Sequence, residues 1–198
     1  MDFLITKNIN SNSTFSLLYD LDLICNSNNI YILGKNQSVK LYKQDKKTII
    51  VIGDLITIDE VSFNSLYKKI KNNSINEFNG FFYLLYLDDE TKKLKLFSSL
   101  FNILPIYYSV INDKIYLSSK ISFIADRIKD YINVDKQYIL ERCLFNYSLF
   151  DRTYFKQISL VKANHFVELS DKMTERKMFE VSDLFVSKPQ MGKRLLIN

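Results

Sequence analysis

Strand-length apolar segments, separated by short polar turns, dominate the first two thirds of the chain and restrict it to sheet-rich folds. The segments 49–52 and 81–87 are apolar throughout, which is typical of strands buried on both faces. Asn112-Asp113 divides two further strand-like segments and has the residue types of a tight hairpin turn. Because turns this short join neighbouring strands, we expect the strands to pair in an antiparallel manner.

The helices are predicted in two groups beside these hairpins. Gly53-Asp54 is expected to end the strand at 48–52, and Asp59 or Ser62 is expected to cap the first helix. Since helices do not alternate with strands, the predicted class is α+β. Further strands are predicted at 2–7, 31–33, 38–42, 94–97, 106–111, 114–118, 162–169 and 173–179, the last two paired, and helices at 58–72, 119–128 and 135–144.

The length of 198 residues suits one large domain, which we predict over residues 1–181, followed by a tail or linker at 182–198. No apolar run has the length of a membrane span, and the start of the chain lacks the basic segment of a signal peptide. Cys25 and Cys143 are far apart and are interpreted as reduced thiols. These features predict a cytoplasmic protein without a membrane partner.

The net charge of +5 comes with lysines in short, interrupted groups, such as 40–47 and 68–71. No series of arginines or interleaved Gly-aromatic motifs accompanies them, as an RNA-binding sheet requires. A solvated lysine-rich surface is therefore favoured over a nucleic-acid interface.

Few side chains are available for catalysis or metal binding. His165 is the only histidine, so a histidine-based metal site is excluded and a Ser-His-Asp triad would depend on this residue alone. Asp88, Asp89 and Glu90 share one predicted turn, which favours a solvated hairpin over an acid/base pair. Since no Gly-rich phosphate loop occurs, neither a nucleotide site nor another cofactor is predicted.

Four segments within residues 78–169 together resemble the N-terminal glutaminase domain of asparagine synthetases, a class II glutamine amidotransferase. They occur in the family's order and spacing, which makes the resemblance more specific than any one segment. It implies a four-layer α/β/β/α sandwich of antiparallel sheets, the N-terminal-nucleophile hydrolase fold. The segments are 78–88 (FNGFFYLLYLD), 97–108 (FSSLFNILPIYY), 114–124 (KIYLSSKISFI) and 150–158 (FDRTYFKQI), the last continuing to 164–166.

The resemblance also shows where the family's nucleophile is missing. The family uses an N-terminal cysteine, and position 2 here is Asp2, whose large acidic side chain also disfavours removal of Met1. An aspartate carboxylate is a poor nucleophile towards an amide. The alternative is a pro-sequence cut before Cys25, but the polar segment 26–29 is unlike the buried strand that must follow a nucleophile, so a structural thiol is favoured.

The family's oxyanion hole is also incomplete by this match. Ile52 stands where the family has an asparagine, and an aliphatic side chain cannot donate the hydrogen bond that the tetrahedral oxygen needs. Gly53 is retained, and Asp54 replaces a glutamate.

Ser98 and Ser99 stand where the family has an Arg-Asp pair, and the loss of the aspartate removes a contact with glutamine. Asn102 replaces a glycine, which suits a left-handed backbone conformation. No arginine precedes Arg127, so the loop that grips the glutamine carboxylate has no counterpart. We therefore predict no catalytic residue and no metal ligand, only a vestigial cleft formed by Asp2, Ile52, Gly53, Asp54, Asn79, Gly80, Ser98, Ser99 and Asn102.

The main hypothesis is an inactive glutaminase-like domain that docks onto a separately encoded, synthetase-like, ATP-dependent amide-forming protein, or binds its peptide substrate. One alternative is an active amidotransferase or asparagine synthetase subunit with a non-standard nucleophile. The other is a stand-alone basic module that binds nucleic acid or anionic surfaces. A homodimer is a further hypothesis.

Overall fold

Two antiparallel sheets form the centre of the protein, whose computed structural model describes residues 1–8, 21–35, 39–57, 60–72, 74–180 and 182. Each sheet has six strands in this part of the chain. The strands are β1 (Phe3–Lys7), β2 (Asp22–Ser27), β3 (Ile30–Gly34), β4 (Val39–Gln44), β5 (Lys47–Ile56), β6 (Asn79–Asp88), β7 (Lys93–Ser98), β8 (Tyr107–Ile111), β9 (Lys114–Ser118), β10 (Ser159–Leu160), β11 (His165–Leu169) and β12 (Met173–Lys177).

Hairpins determine most of the strand order. The first sheet has the order β10-β8-β9-β1-β3-β2 and the second has the order β12-β11-β7-β6-β5-β4. The predicted hairpins β6–β7, β8–β9 and β11–β12 are confirmed. Asn112 and Asp113 form the β8–β9 turn with positive φ angles of 49° and 62°, as a tight hairpin turn requires.

The two-residue period of the strands divides their side chains between two cores. In β6, Tyr83, Leu85 and Leu87 point between the sheets, while Phe82 and Leu84 point to the outer face of the second sheet. This double burial explains the apolar character of residues 82–87, whereas Phe81 is exposed.

Helices cover the outer face of each sheet. Helix α1 (Phe63–Lys71) packs on the second sheet through Leu66 and Ile70, and α2 (Ile121–Ala125) packs on the first sheet through Phe123 and Ile124. The predicted α+β class and the layered sandwich are therefore confirmed. None of the helices in the described stretches is long and apolar enough to span a bilayer.

Helix α1 starts later than predicted. Ser62 is its N-cap: the Ser62 side chain accepts a hydrogen bond from the Ser65 N–H, and the Ser65 side chain binds back to the Ser62 backbone. This capping box satisfies N–H groups at the first turn and sets the start at Phe63. The predicted helical start at 58 is wrong for residues 60–62, and residues 58 and 59, including the candidate cap Asp59, lie outside the described residues.

Two further strand predictions are wrong. Strand β5 continues through Gly53-Asp54, where an end was predicted, because the facing residues of β6 continue the ladder as far as Ile56. Strand β2 was not predicted because its polar residues lie at the edge of the first sheet, where little apolar burial is needed. Of the predicted tail, residues 183–198 lie outside the described part of the chain.

Candidate functional site

The start of the chain reaches the second sheet at Gly53. A Cβ atom placed on Gly53 would lie 2.0 Å from the Met1 Sδ atom and 2.5 Å from the Phe81 carbonyl oxygen. Gly53 also has a φ angle of +103°, which other residues rarely adopt. Glycine at this position therefore lets the Met1 side chain lie directly on the β5–β6 ladder.

Residues 2 and 3 are held by the connection between β9 and α2. The Asp2 carboxylate forms an ion pair with the Lys120 ammonium at 2.7 Å. The Phe3 N–H donates to the Ser119 hydroxyl at 3.1 Å, and the Ser118 hydroxyl donates to the Phe3 carbonyl at 2.7 Å. Both hydroxyls therefore bind backbone groups of β1. The pairing of Lys120 with Asp2 has no sequence signal, since 118 positions separate them.

Tyr83 lies at the centre of this site and was not predicted as part of it. Its ring packs edge-to-face against Phe3, with ring centroids 4.7 Å apart, and its hydroxyl donates to the Pro105 carbonyl at 2.9 Å. Burial raises the pKa of the Tyr83 phenol well above its usual value, and nearby Tyr107 and Asp2 raise it further. Tyr83 is thus a neutral hydrogen-bond donor with a structural partner.

The predicted residues Ile52 and Ser98 pair with Tyr83 from either side, in β5 and β7. The Ile52 side chain is fully buried between the sheets and offers no hydrogen-bond donor. Ser98 is buried as well, and its hydroxyl donates to the Leu104 carbonyl at 2.7 Å. The structure therefore brings together Asp2, Ile52, Gly53 and Ser98 around Tyr83.

Asn102 has a connecting role. Its φ angle of +52° is the left-handed conformation that was predicted for the position of the family's glycine. Its side-chain amide donates to the carbonyls of Lys162 and His165, at 2.9 and 3.2 Å. The buried Ser99 accepts the Asn102 N–H at its carbonyl. Asn102 therefore joins the loop after β7 to the chain before β11.

Asp54, Asn79 and Gly80 lie farther out along the β5–β6 ladder. Gly80 has a φ angle of +103°, and a Cβ atom there would lie 2.2 Å from the Asp54 carbonyl oxygen. Asn79 is exposed and pairs with Ile56 at the end of β5. Asp54 directly follows Gly53, whereas Gly80 and Asn79 lie two and three positions beyond the residue that pairs with Gly53 and are separate from the group around Tyr83.

Ser98, Ser118 and the only histidine have structural partners, whereas the buried Ser99 hydroxyl has no hydrogen bond among the described residues. Ser98 and Ser118 donate to backbone carbonyls, and a ring nitrogen of His165 lies 2.9 Å from the Ala163 carbonyl oxygen, away from the residues around Tyr83. Among the described residues, no group of three or more His, Cys, Asp or Glu side chains is arranged to hold a metal ion. The site as it stands offers structural hydrogen bonds and one ion pair.

Cys25 lies within β2, whose residues Asn26 and Ser27 were predicted as a loop, so that prediction is wrong. The residue is half-buried on an edge strand, and burial raises the pKa of its thiol. The nearby charges of Lys43 and Asp89 have smaller, opposing effects. A raised pKa lowers the thiolate fraction near neutral pH, which makes Cys25 a weak nucleophile.

We expect iodoacetamide to alkylate Cys143 faster than Cys25 at pH 8. Cys143 is exposed on a helix, whereas Cys25 is half-buried and burial raises the pKa of its thiol. Mass spectrometry of peptides after timed labelling measures both rates in one sample. The Cys143→Ser variant is the control that assigns the fast phase, and faster labelling at Cys25 would contradict the structural role of its thiol.

A family model described as a glutamine amidotransferase domain matches residues 59–180, which is more than half of the chain. No curated protein matches the chain. The matched region contains the predicted residues Asn79, Gly80, Ser98, Ser99 and Asn102, while Asp2 and the residues 52–54 precede it.

Proposed function

Because the chain belongs to the glutamine amidotransferase domain family, we propose that it is a catalytically inactive member of the kind found beside asparagine synthetases. In this proposal the domain docks onto a synthetase-like, ATP-dependent protein that forms amide bonds. The N-terminal-nucleophile hydrolase fold is part of the proposal. The position of β1 in the middle of the first sheet, with Met1 just before it lying against Gly53 of β5, supports it.

The residue and contacts at position 2, where the family has its nucleophile, are the main support for the proposal that the chain is inactive. The Asp2 carboxylate is paired with Lys120, and Met1 lies over Gly53, the residue that remains of the oxyanion hole. Ile52 directs an aliphatic side chain into the core, where the family needs an amide donor. A nucleophile, its oxyanion donor and free access to the remaining glycine are therefore all missing from the described site.

The proposed docking surface lies on helix α3 (Lys136–Phe145) and the segment after it. Asp135 caps α3 through hydrogen bonds to the Gln137 and Tyr138 N–H groups, so this predicted helix is confirmed. Of its ten residues, only Glu141 is buried. We define the α3 patch as the exposed apolar side chains of this region: Ile139, Leu140, Leu144, Phe145, Tyr147, Leu149 and Phe150.

The size of the α3 patch matches a protein interface. Its seven side chains are between 37% and 67% exposed. At roughly 100 Å² for each half-exposed large side chain, the patch presents about 700 Å². The largest patch of a monomer is typically about 300–600 Å², and a stable complex buries about 800 Å² on each partner. The similarity of the patch area to the area of a typical interface supports a protein as the partner of the α3 patch. Membership of the family supports a synthetase-like protein in this role.

The buried carboxylate of Glu141 connects helix α3 to the segment that follows it. Its carboxylate accepts hydrogen bonds from the Leu149 N–H, the Ser148 hydroxyl and the Gln137 amide, and pairs with Arg152 at 2.6 Å. Burial alone raises the pKa of this carboxyl, but the hydrogen bonds and the Arg152 charge outweigh it, so the net pKa is lowered. The ionised carboxylate thus fixes the segment 148–150 against α3.

We expect the Glu141→Gln variant to melt at a lower temperature than the wild type at pH 7, and the difference to be smaller at pH 3. A lowered pKa in the folded state contributes stability above the ordinary carboxyl pKa of 4.5, and this contribution is lost as the pH falls through the folded value. Thermal unfolding at both pH values measures the effect. Glu180→Gln, which changes an exposed carboxylate paired with Lys177, is the control. A difference at pH 3 as large as the difference at pH 7 would contradict this role.

The direct test of docking uses the synthetase-like protein encoded nearest to this gene. Sedimentation of the mixture should give a stable complex, and amide formation by the partner should depend on this chain. If the α3 patch instead joins two copies of this chain, sedimentation of the purified protein alone shows a dimer, and the docking proposal fails.

The two alternative hypotheses, an active amidotransferase and a basic binding module, predict different experimental results. An active amidotransferase would release ammonia from glutamine without a partner. A basic module would bind arbitrary DNA or RNA with a steep dependence on salt. No specific contact in the described site favours either of them over docking.

A further inference from the structure

A pocket lies at the end of strand β1 that is opposite to Met1. It has a volume of about 390 Å³. The first residue of the chain, Met1, lies beside Gly53, and strand β1 ends at this pocket with Lys7. Turns from both sheets complete the walls. The lining residues are Lys7, Asn8, Asn28, Asn29, Lys92 and Asp171.

Lys7 is the unusual residue of this pocket. It follows Phe3 and Ile5 in the two-residue period of β1, and both of those side chains belong to the core between the sheets. Lys7 is only 9% exposed, and within the described residues its ammonium has no hydrogen bond or ion pair. The apolar stem of Lys7 is therefore buried, while its ammonium lines the pocket and is available to a ligand.

Hydrogen bonds connect the segments that line the pocket around Lys7. The Ser27 hydroxyl donates to the Asp89 carboxylate, which links a turn of the first sheet to a turn of the second. The Asn8 side-chain amide donates to the Asp113 carbonyl at 2.9 Å, and the Asn28 amide donates to Ser27 at 3.0 Å. These bonds give the pocket a defined shape before any ligand enters.

We propose that this pocket binds a small oxyanion of the phosphate class. Lys7 and Lys92 supply two positive charges, and the ammonium group of lysine is a common phosphate ligand. Asp171 supplies one carboxylate at the rim, which repels an anion unless the anion carries its own proton donor. Hydrogen phosphate and phosphate monoanions carry a P–OH group for this role, whereas acetate does not. The site is separate from the residues around Tyr83 and independent of the proposed docking function.

The test is calorimetric titration of the full chain with sodium phosphate at constant ionic strength, with sodium acetate as a second titrant. We expect saturable binding of phosphate and weaker binding of acetate. The Lys7→Met variant should bind phosphate at least about tenfold more weakly, the effect of losing one charge-assisted hydrogen bond. Without phosphate, this variant should melt near the wild-type temperature, because methionine retains most of the buried apolar stem of Lys7.

Lys92→Met, on the exposed turn, is a second variant that leaves the core intact and should weaken binding similarly. Lys40→Met, an exposed lysine on the edge strand β4, is the matched control and should bind as the wild type does. Absence of saturable binding, unchanged affinity in both pocket variants, or acetate binding as tight as phosphate binding would overturn the proposal.

Discussion

The double substitution Leu144→Asp and Phe150→Asp is expected to weaken binding of the proposed synthetase-like partner at least about hundredfold. These are the two most exposed side chains of the α3 patch. Large side chains at the centre of an interface each contribute about 2 kcal/mol or more, and two such losses exceed a factor of one hundred. Aspartate adds the cost of placing a charge against an apolar surface.

Sedimentation or calorimetric titration with the partner measures this loss. The unfolding free energy of the double variant should stay near the wild-type value, because both side chains are already in contact with water. Ile103→Asp is the matched control, since Ile103 is as exposed as Leu144 but lies outside the patch. Equal weakening by the control, or unchanged binding by the double variant, would place the interface elsewhere.

Replacing Tyr83 with alanine is expected to lower the free energy of unfolding by about 3–5 kcal/mol, as for other large aromatic side chains in a core. Tyr83 is 2% exposed and contacts Phe3 across the sheets. Its loss also leaves the Pro105 carbonyl without its hydrogen bond, which costs about 1–3 kcal/mol when the group stays buried.

Urea unfolding followed by circular dichroism gives this number, provided that the denaturant slope is unchanged. Tyr83→Phe separates the two contributions, since it keeps the ring and removes only the hydroxyl. Tyr147→Ala, an exposed tyrosine, should change stability by less than about 0.5 kcal/mol. If Tyr83→Ala costs no more than this control, the site around Tyr83 is an open cleft and not a packed junction.

The fold class was predictable because its signals are local. The uniformly apolar run 81–87 becomes β6, buried on both faces, and Asn112-Asp113 becomes a turn with two positive φ angles. Prediction from local sequence failed where the local residues alone do not determine the secondary structure. Strand β2 is polar because it lies at an edge, and the start of α1 depends on which of several polar residues forms the capping box.

The candidate site residues stay a prediction, and the contacts among them could not be read from the sequence. The glutamine amidotransferase relationship is confirmed by the family match, and Asn102 has the left-handed conformation expected where the family has glycine. The ion pair of Asp2 with Lys120 and the Met1 contact with Gly53 depend on the packing of distant segments. The exposure of the apolar side chains of α3 could not be predicted from the sequence either, because burial depends on the folded structure.

Ammonia release from glutamine is the most direct test of the proposed loss of catalysis. The purified chain is incubated with glutamine, and ammonia is measured by a coupled glutamate dehydrogenase assay beside a protein-free blank. We predict a rate equal to the blank, because Asp2 is paired with Lys120 and Ile52 supplies no oxyanion donor. A rate well above the blank that is lost in the Asp2→Ala or Ser99→Ala variant would show a working nucleophile and contradict the proposal.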